Sequence, residues 1–261
     1  MAEAFVKRVR LLPSGAGPRS GYPSDLPAIA QLAHGLELHP KVTYLIGENG
    51  SGKSTLLAAI AMAAGMNPEG GSSNYSFPTE GDGADQFAFS QRVSRTGMAD
   101  AVQLVRGARR PRTDFFLRAE SLFVTSTYLE RLAGEPLAGD PLAAYGGRSL
   151  HEQSHGEGFL ALMINRFGAD GFYLLDEPEA ALSTQNCLTC LRRVHELVQE
   201  GSQFVISTHS PIILAYPEAS IYRCTTRGLE LTEYEEAEPV QLTRSFLSSR
   251  ERFLRELLAG D

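Results

Sequence analysis

The spacing of glycines before one lysine and one serine is the strongest chemical signal in this 261-residue chain. The stretch fits the phosphate-binding pattern G-x-x-x-x-G-K-[ST] at every fixed position. An apolar, β-branched run (Val42 to Ile46) precedes it, and a run rich in Leu, Ala and Ile (Lys53 to Ala64) follows. Backbone N–H groups of such a loop turn toward phosphate oxygens at the positive end of a helix. The residues that we expect to bind nucleotide are Gly47, Glu48, Asn49, Gly50, Ser51, Gly52, Lys53, Ser54 and Thr55.

Two residues at the end of this loop have more specific expected roles. Lys53 would reach the β- and γ-phosphates, and the hydroxyl of Ser54 would ligate Mg²⁺. A chance glycine-rich turn is disfavoured because the strand and the helix that the pattern needs are both predicted around it. The sequence therefore predicts a site for Mg²⁺ and a nucleoside triphosphate, with the base left undecided between ATP and GTP.

A second apolar run, Phe172 to Leu175, ends in two carboxylates, Asp176 and Glu177. An acid at the end of a strand beside a P-loop can hold the Mg²⁺ shell, which is the role that we predict for Asp176. Glu177 is placed to polarise the attacking water as a general base. Such a run would mean little alone, but after a P-loop in the same chain it predicts a hydrolytic site.

Strand and helix patterns alternate along the chain, which predicts an α/β sheet with helices on both faces. The predicted strands are 5–12, 172–175 and 204–207, with a hairpin formed by 221–225 and 229–232. The predicted helices are part of 26–38, then 122–133, 159–167, 184–199 and a single amphipathic helix over 239–258. A long loop is predicted over 65–85, and residues 86–118 show no clear pattern.

Length and composition bound the class of protein. The chain has the size of one large domain, or of one domain with a subdomain. Its net charge of −7 gives no overall attraction to nucleic acid or anionic lipid. No apolar window is long enough for a membrane span, and the N-terminus does not resemble a signal peptide. We therefore expect a soluble, cytoplasmic protein without direct membrane insertion.

Two local features have a functional and a structural interpretation. Seven arginines lie between Arg92 and Arg118 against two aspartates, which would suit a surface that follows phosphates, although we favour an ordinary solvated face. Cys187 and Cys190 form a C-x-x-C pair, but no second ligand pair for zinc is visible in the sequence. We expect both cysteines to pack within a helix.

Three further segments resemble motifs of ABC-type ATPases. Asp176-Glu177-Pro178-Glu179 followed by Ala181-Leu182-Ser183 resembles their Walker B motif and D-loop. Phe204 to Pro211, which ends in S-T-H-S-P, resembles the switch-histidine segment of RecF-like and SMC-like members. Gln153 to Gly158 resembles the signature loop L-S-G-G-Q or L-S-G-G-E, except that His155 stands at its first glycine. The order of the motifs is the order found in that family.

The closest resemblance is to small stand-alone ABC-type proteins called "AAA-family" or predicted ATPases, whose hallmarks the segment Phe115 to Ser121 also resembles. This implies an α/β P-loop NTPase with an ABC-ATPase-type core sheet and an N-terminal antiparallel β part. It also implies an inserted helical signature subdomain at about 121–167, within a single domain over 1–261.

The resemblance also implies roles for residues outside the P-loop. Ser154, Gly156 and Glu157 would contact the γ-phosphate across a head-to-tail dimer. His209 would contact the γ-phosphate and the attacking water within its own chain, and Ser183 would help to join the two sites.

Two parts of the family pattern have more than one candidate. For the metal ligand of the Q-loop we favour Glu120, with Gln91 as the second candidate, and an ordinary exposed acid is the alternative for Glu120. Tyr22 is a candidate for stacking on adenine, or else a turn tyrosine packed on the sheet.

The expected function is an ATPase that hydrolyses Mg-ATP in an ATP-gated homodimer and acts on an unidentified protein or nucleic-acid partner. The alternative is the ATP-binding subunit of a membrane transporter. A nucleotide sensor without hydrolysis is disfavoured because Glu177 and His209 are both present. No long heptad run is found, so a full SMC-like arm is not expected.

Overall fold

The computed structural model describes residues 3–12, 22–68, 70–73, 101–120 and 155–259. The strands of this part are β1 (Val6–Leu11), β2 (Leu36–Glu37), β3 (Val42–Ile46), β4 (Val102–Arg106), β5 (Thr113–Arg118), β6 (Gly171–Asp176), β7 (Gln203–Ser207), β8 (Ser220–Thr225) and β9 (Gly228–Thr232). The helices are α1 (Pro27–Ala30), α2 (Lys53–Ala64), α3 (His155–Arg166), α4 (Thr184–Gln199), α5 (Glu238–Ser248) and α6 (Arg250–Leu258). In this part of the chain, no helix is both long and apolar enough to cross a membrane.

The larger sheet has six strands in the order β5-β6-β7-β3-β8-β9. The first five strands run parallel, and β9 returns antiparallel to β8 as a hairpin. Because β3, β6 and β7 are parallel and lie side by side, their carboxyl ends meet at one edge of the sheet. Ligands of open α/β sheets bind outside this edge.

A smaller antiparallel sheet contains the N-terminal strand β1 between β2 and β4. The buried side chain of Gln203 links it to β7 of the larger sheet. Its amide nitrogen donates to the carbonyl oxygens of Val6 (2.8 Å) and His39 (2.9 Å), and its amide oxygen accepts from the N–H of Val6 (3.0 Å). The predicted N-terminal antiparallel part is therefore confirmed.

Side chains of the central strands alternate between two hydrophobic clusters, one on each face of the larger sheet. In β3, Tyr44 and Ile46 pack into the cluster that α3 and α4 cover, whereas Leu45 packs into the cluster that contains α1, α2 and β1. The α/β sheet with helices on both faces is therefore confirmed. This double burial explains why the strand sequences are continuously apolar.

Most predicted elements within the described residues are confirmed, and two differences stand out. The predicted helix over 239–258 is two helices, because the backbone leaves the helical conformation at Ser249 (φ −143°, ψ 40°). Ser248 and Ser249 are adjacent, and serine hydroxyls compete with helical hydrogen bonding of the backbone. Strands β4 and β5 lie where the sequence shows no clear pattern. The predicted helix over 122–133, and the predicted inserted subdomain apart from residues 155–167, lie outside the described residues.

Candidate nucleotide site

The turn between β3 and α2 follows a path that requires glycine at two positions. Gly52 caps α2 in a left-handed backbone conformation (φ 97°), which residues with a side chain adopt only with strain. Gly47 has a φ of 142°, and a Cβ atom there would lie 2.6 Å from the carbonyl oxygen of Cys224. The predicted strand, loop and helix are therefore in place, and α2 begins at Lys53.

Lys53 bends back over its own loop. Its Nζ atom donates hydrogen bonds to the carbonyl oxygens of Gly47 (2.8 Å) and Glu48 (3.1 Å). Burial lowers the pKa of Lys53, and the nearby carboxylates, Glu177 first among them, oppose this shift. The ammonium group is therefore held inside the loop, where phosphate oxygens are expected.

The two predicted Mg²⁺ ligands from the P-loop and Walker B motifs contact each other. The hydroxyl of Ser54 donates to Asp176 Oδ1 at 3.1 Å. On the other side, Arg118 Nε lies 3.3 Å from Asp176 Oδ2. Burial raises the pKa of Asp176, while the charge of Arg118 and the hydrogen bond from Ser54 act in the opposite direction. Both oxygens of this carboxylate are thus engaged inside the site.

Glu177 and His209 lie together at the ends of neighbouring strands. Glu177 has a left-handed backbone (φ 49°, ψ 54°), which costs roughly 1–2 kcal/mol for a residue other than glycine. Its N–H donates to the carbonyl oxygen of Ser207 (3.0 Å), which holds it beside β7. Glu177 Oε1 lies 3.5 Å from His209 Nε2. The strained conformation therefore places the predicted base next to the predicted switch histidine.

The sequence analysis gave Glu179 no role of its own, yet it anchors the histidine segment. One of its carboxylate oxygens accepts a hydrogen bond from Thr208 Oγ1 (2.8 Å), and the other accepts from the backbone N–H of His209. Glu179 lies in the 3-10 turn Pro178–Ala180, directly after Glu177 and Pro178. The last acid of the D-E-P-E sequence was the available signal, but its hydrogen-bond partners lie about 30 residues further along the chain.

A cavity of about 350 Å³ lies beside the P-loop and the Walker B acids, within the range of small-ligand sites, and His209 is not among the residues that line it. It is lined by Tyr22, Leu26, Asn49, Gly50, Gly52, Lys53, Ser54, Thr55, Arg118, Glu120, Asp176 and Glu177. The hydroxyl of Tyr22 lies 3.3 Å from Thr55 Oγ1. Glu120 is 79% exposed, and its Oε2 atom lies 3.5 Å from Arg118 Nη2. Tyr22 and Glu120 thus border the cavity, and their roles stay predictions.

The signature-like residues lie elsewhere. Gly156 and Glu157 begin α3 and are not among the residues that line the cavity. Gly156 is buried, and a Cβ atom there would lie 3.0 Å from the carbonyl oxygen of Ala181 and 3.1 Å from Asn186 Nδ2. Glu157 is exposed, and Ser154 lies outside the described residues. The start of α3 therefore packs against the D-loop-like segment.

The side chains of the site have the chemistry needed to bind Mg²⁺ and a nucleoside triphosphate. Two buried polar atoms, Ser51 Oγ and His209 Nε2, have no hydrogen-bond partner within the described part of the chain. Over the same residues, no group of three or more His, Cys, Asp or Glu side chains could hold a metal ion by itself. The Ser54 hydroxyl and the Asp176 carboxylate, which lie 3.1 Å apart, are oxygen donors of the kind that bind Mg²⁺ together with phosphates at nucleotide sites.

Comparisons with known proteins agree with these motifs. Residues 31–110 match the family model described as "AAA domain". A protein of Caldanaerobacter subterraneus subsp. tengcongensis, named as a candidate ABC transporter ATP-binding protein, is 28% identical over 72% of this chain and 77% of its own length.

Two solved structures are also similar. The SMC head domain from Thermotoga maritima has 15% identity and a TM-score of 0.41, over 87% of this chain and 98% of its own. A nucleotide-free ATP-binding cassette from an ABC transporter has 16% identity and a TM-score of 0.48, over 93% of this chain and 95% of its own.

The family match and the curated relative make this chain similar to ABC-type ATPase domains. The resemblance inferred from its motifs is confirmed at this level.

Proposed function

We propose that this chain binds Mg-ATP at the P-loop and hydrolyses it. The observation that carries the proposal is the meeting of five side chains at one edge of the larger sheet. They are Lys53, Ser54, Asp176, Glu177 and His209. They come from three motifs of the chain: the P-loop, the Walker B segment and the switch-histidine segment. Their chemistry covers phosphate binding, metal binding and activation of water.

Each residue of the site has its own role in the proposed reaction. Lys53 and the loop N–H groups bind the phosphates, and Ser54 and Asp176 hold Mg²⁺. The metal supplies positive charge to the phosphate oxygens. Glu177 orients the attacking water and accepts its proton on a carboxylate oxygen. His209 Nε2, 3.5 Å from that carboxylate, donates to the γ-phosphate or to the water.

The second part of the proposal is an ATP-dependent homodimer. It is supported by the position of Gly156 and Glu157, which do not line the cavity of their own chain. In the proposed dimer, Ser154, Gly156 and Glu157 of one copy contact the γ-phosphate bound to the other. We also propose that the chain is a single domain, in which residues of about 121–167 form the helical signature subdomain.

The partner that uses this ATPase cycle is proposed to be another protein or nucleic acid. The ATP-binding subunit of a membrane transporter is a second candidate, because the curated relative is named as one. The genes next to the one that encodes this chain separate the candidates. A neighbouring gene for a multi-span membrane protein would favour transport, and a nuclease or methylase gene would favour work on nucleic acid.

Substitution of Glu177 by Gln tests the hydrolytic assignment. General-base catalysis contributes about 10²- to 10⁴-fold, so phosphate release should slow by that factor while ATP affinity is kept. Phosphate release and equilibrium binding of labelled ATP would be measured side by side. Glu200→Gln, at an exposed position after α4, is the matched control. Unchanged turnover in Glu177→Gln would refute the role of Glu177 as the base.

A further inference from the structure

A buried arginine at the inner wall of the cavity has no place in the mechanism above. Arg118 is the last residue of β5 and lies in register with Asp176 of β6. Its side chain is only 5% exposed, yet it lines the cavity. Its Nε atom contacts Asp176 Oδ2 at 3.3 Å, and its Nη2 atom lies 3.5 Å from Glu120 Oε2.

An ion pair in this position is weak evidence for a purely stabilising role. Removal of two charges from water is costly, and an apolar pair of similar volume often gives a protein of equal stability. Asp176 already accepts a hydrogen bond from Ser54 on its other oxygen. A charged group that is kept beside a cavity, against Walker B, is therefore a candidate for contact with a ligand.

Contacts along the cavity show which part of a nucleotide Arg118 would meet. Tyr22 contacts Thr55 at one end, and Thr55 adjoins Ser54 in the chain. Ser54 contacts Asp176, and Asp176 contacts Arg118. Arg118 therefore lies beside the proposed Mg²⁺ ligand Asp176, on the β5 side of that residue. It lines the same cavity as Lys53 and Glu177, and the proposed function places the terminal phosphate and the attacking water at these two residues.

We propose that Arg118 binds the γ-phosphate of ATP held by the P-loop of the same chain, an inference that rests on the proposed function. With Mg-ATP bound, Ser54 and Asp176 would hold the metal, and the guanidinium of Arg118 would exchange its contact with the Asp176 carboxylate for a contact with a γ-phosphate oxygen. A guanidinium presents a planar fork of donors that matches phosphate oxygens. Because ADP lacks the γ-phosphate, Arg118 would make the site select ATP over ADP.

The test compares the affinities for ATP and ADP, with Mg²⁺, by isothermal titration calorimetry. A charge-assisted hydrogen bond corresponds to about 10- to 150-fold in affinity. Arg118→Met should lose ATP affinity by that factor and keep its ADP affinity, so that the ATP preference falls. Arg118→Lys keeps the positive charge but lacks the planar fork of donors. Its ATP affinity should therefore lie between those of the wild-type chain and Arg118→Met. Arg109→Met is the matched control, because Arg109 pairs with Asp170 and does not line the cavity.

Thermal unfolding of each variant shows whether it is folded. If Arg118→Met does not fold, the comparison of ATP and ADP affinities is made with Arg118→Lys. An unchanged ATP-to-ADP ratio would overturn the inference. Equal loss of ATP and ADP affinity would also overturn it, because that result means Arg118 only holds Asp176 in place. The failure of the wild-type chain to bind ATP would instead refute the proposed function itself.

Discussion

The P-loop cavity and the start of α3 differ in how their side chains are held. At the cavity, contacts within one chain fix each predicted group: Lys53 on its own loop, Ser54 on Asp176, and His209 through Glu179. At the start of α3, the buried Gly156 packs against the D-loop-like segment, whereas Glu157 is exposed. The residues around the P-loop are thus preorganised by contacts within their own chain, whereas Glu157 at the start of α3 lies at the surface.

This difference separates two kinds of contribution to the reaction. In the proposed function, the groups that bind phosphate and metal and activate water all come from one chain, whereas the signature-like residues contact nucleotide bound to the other copy. Substitutions at the cavity should therefore act on nucleotide binding and on the chemical step, whereas substitutions near α3 should act on association of the two copies.

Among the variants compared here, Lys53→Ala should have the largest effect on nucleotide affinity, and it tests whether groups of one chain bind the phosphates. The loss of a buried ammonium that binds phosphate should weaken ATP affinity by about 10- to 150-fold, to judge from hydrogen bonds to charged groups. Equilibrium binding of labelled ATP measures it. Lys41→Ala is the control, since Lys41 pairs with Glu218 on the surface, and such pairs contribute about 0–1 kcal/mol. Full ATP affinity in Lys53→Ala would contradict the role of the P-loop.

Glu179→Gln should have a smaller effect, on the rate of hydrolysis, and it tests how contacts within one chain hold the histidine segment. Glu179 positions His209 without lining the cavity, so kcat should fall about 10-fold while KM for ATP changes little. Thr208→Val removes one of the two contacts and should reduce kcat less. Steady-state phosphate release at several ATP concentrations separates kcat from KM. A rise in KM with kcat unchanged would show that Glu179 acts on binding instead.

The proximity of the P-loop and the Walker B acid could be predicted from the sequence, because each motif has a fixed spacing of residues. Gly52, Lys53 and Ser54 are adjacent in the chain, and a buried strand before an acid places Asp176 at the same sheet edge. The structure brings Ser54 and Asp176 into contact as predicted.

The roles of Arg118 and Glu179 could not be predicted in the same way. Arg118 meets Asp176 through the register of β5 with β6, two strands separated by about 50 residues. β5 itself was missed because its apolar core, Phe115 to Leu117, is short and buried on both faces, so it shows no alternation. Such contacts depend on tertiary structure, which local patterns do not encode.

The mass of Glu177→Gln in solution, with and without Mg-ATP, tests most directly the claim that two copies complete each site. Blocked hydrolysis should trap the ATP-bound state, since each bound ATP favours the closed dimer. The predicted result is the mass of one chain without ATP and of two chains with it, and Ser154→Arg added to Glu177→Gln should keep the single mass. One chain throughout, with ATP bound, would contradict the head-to-tail dimer.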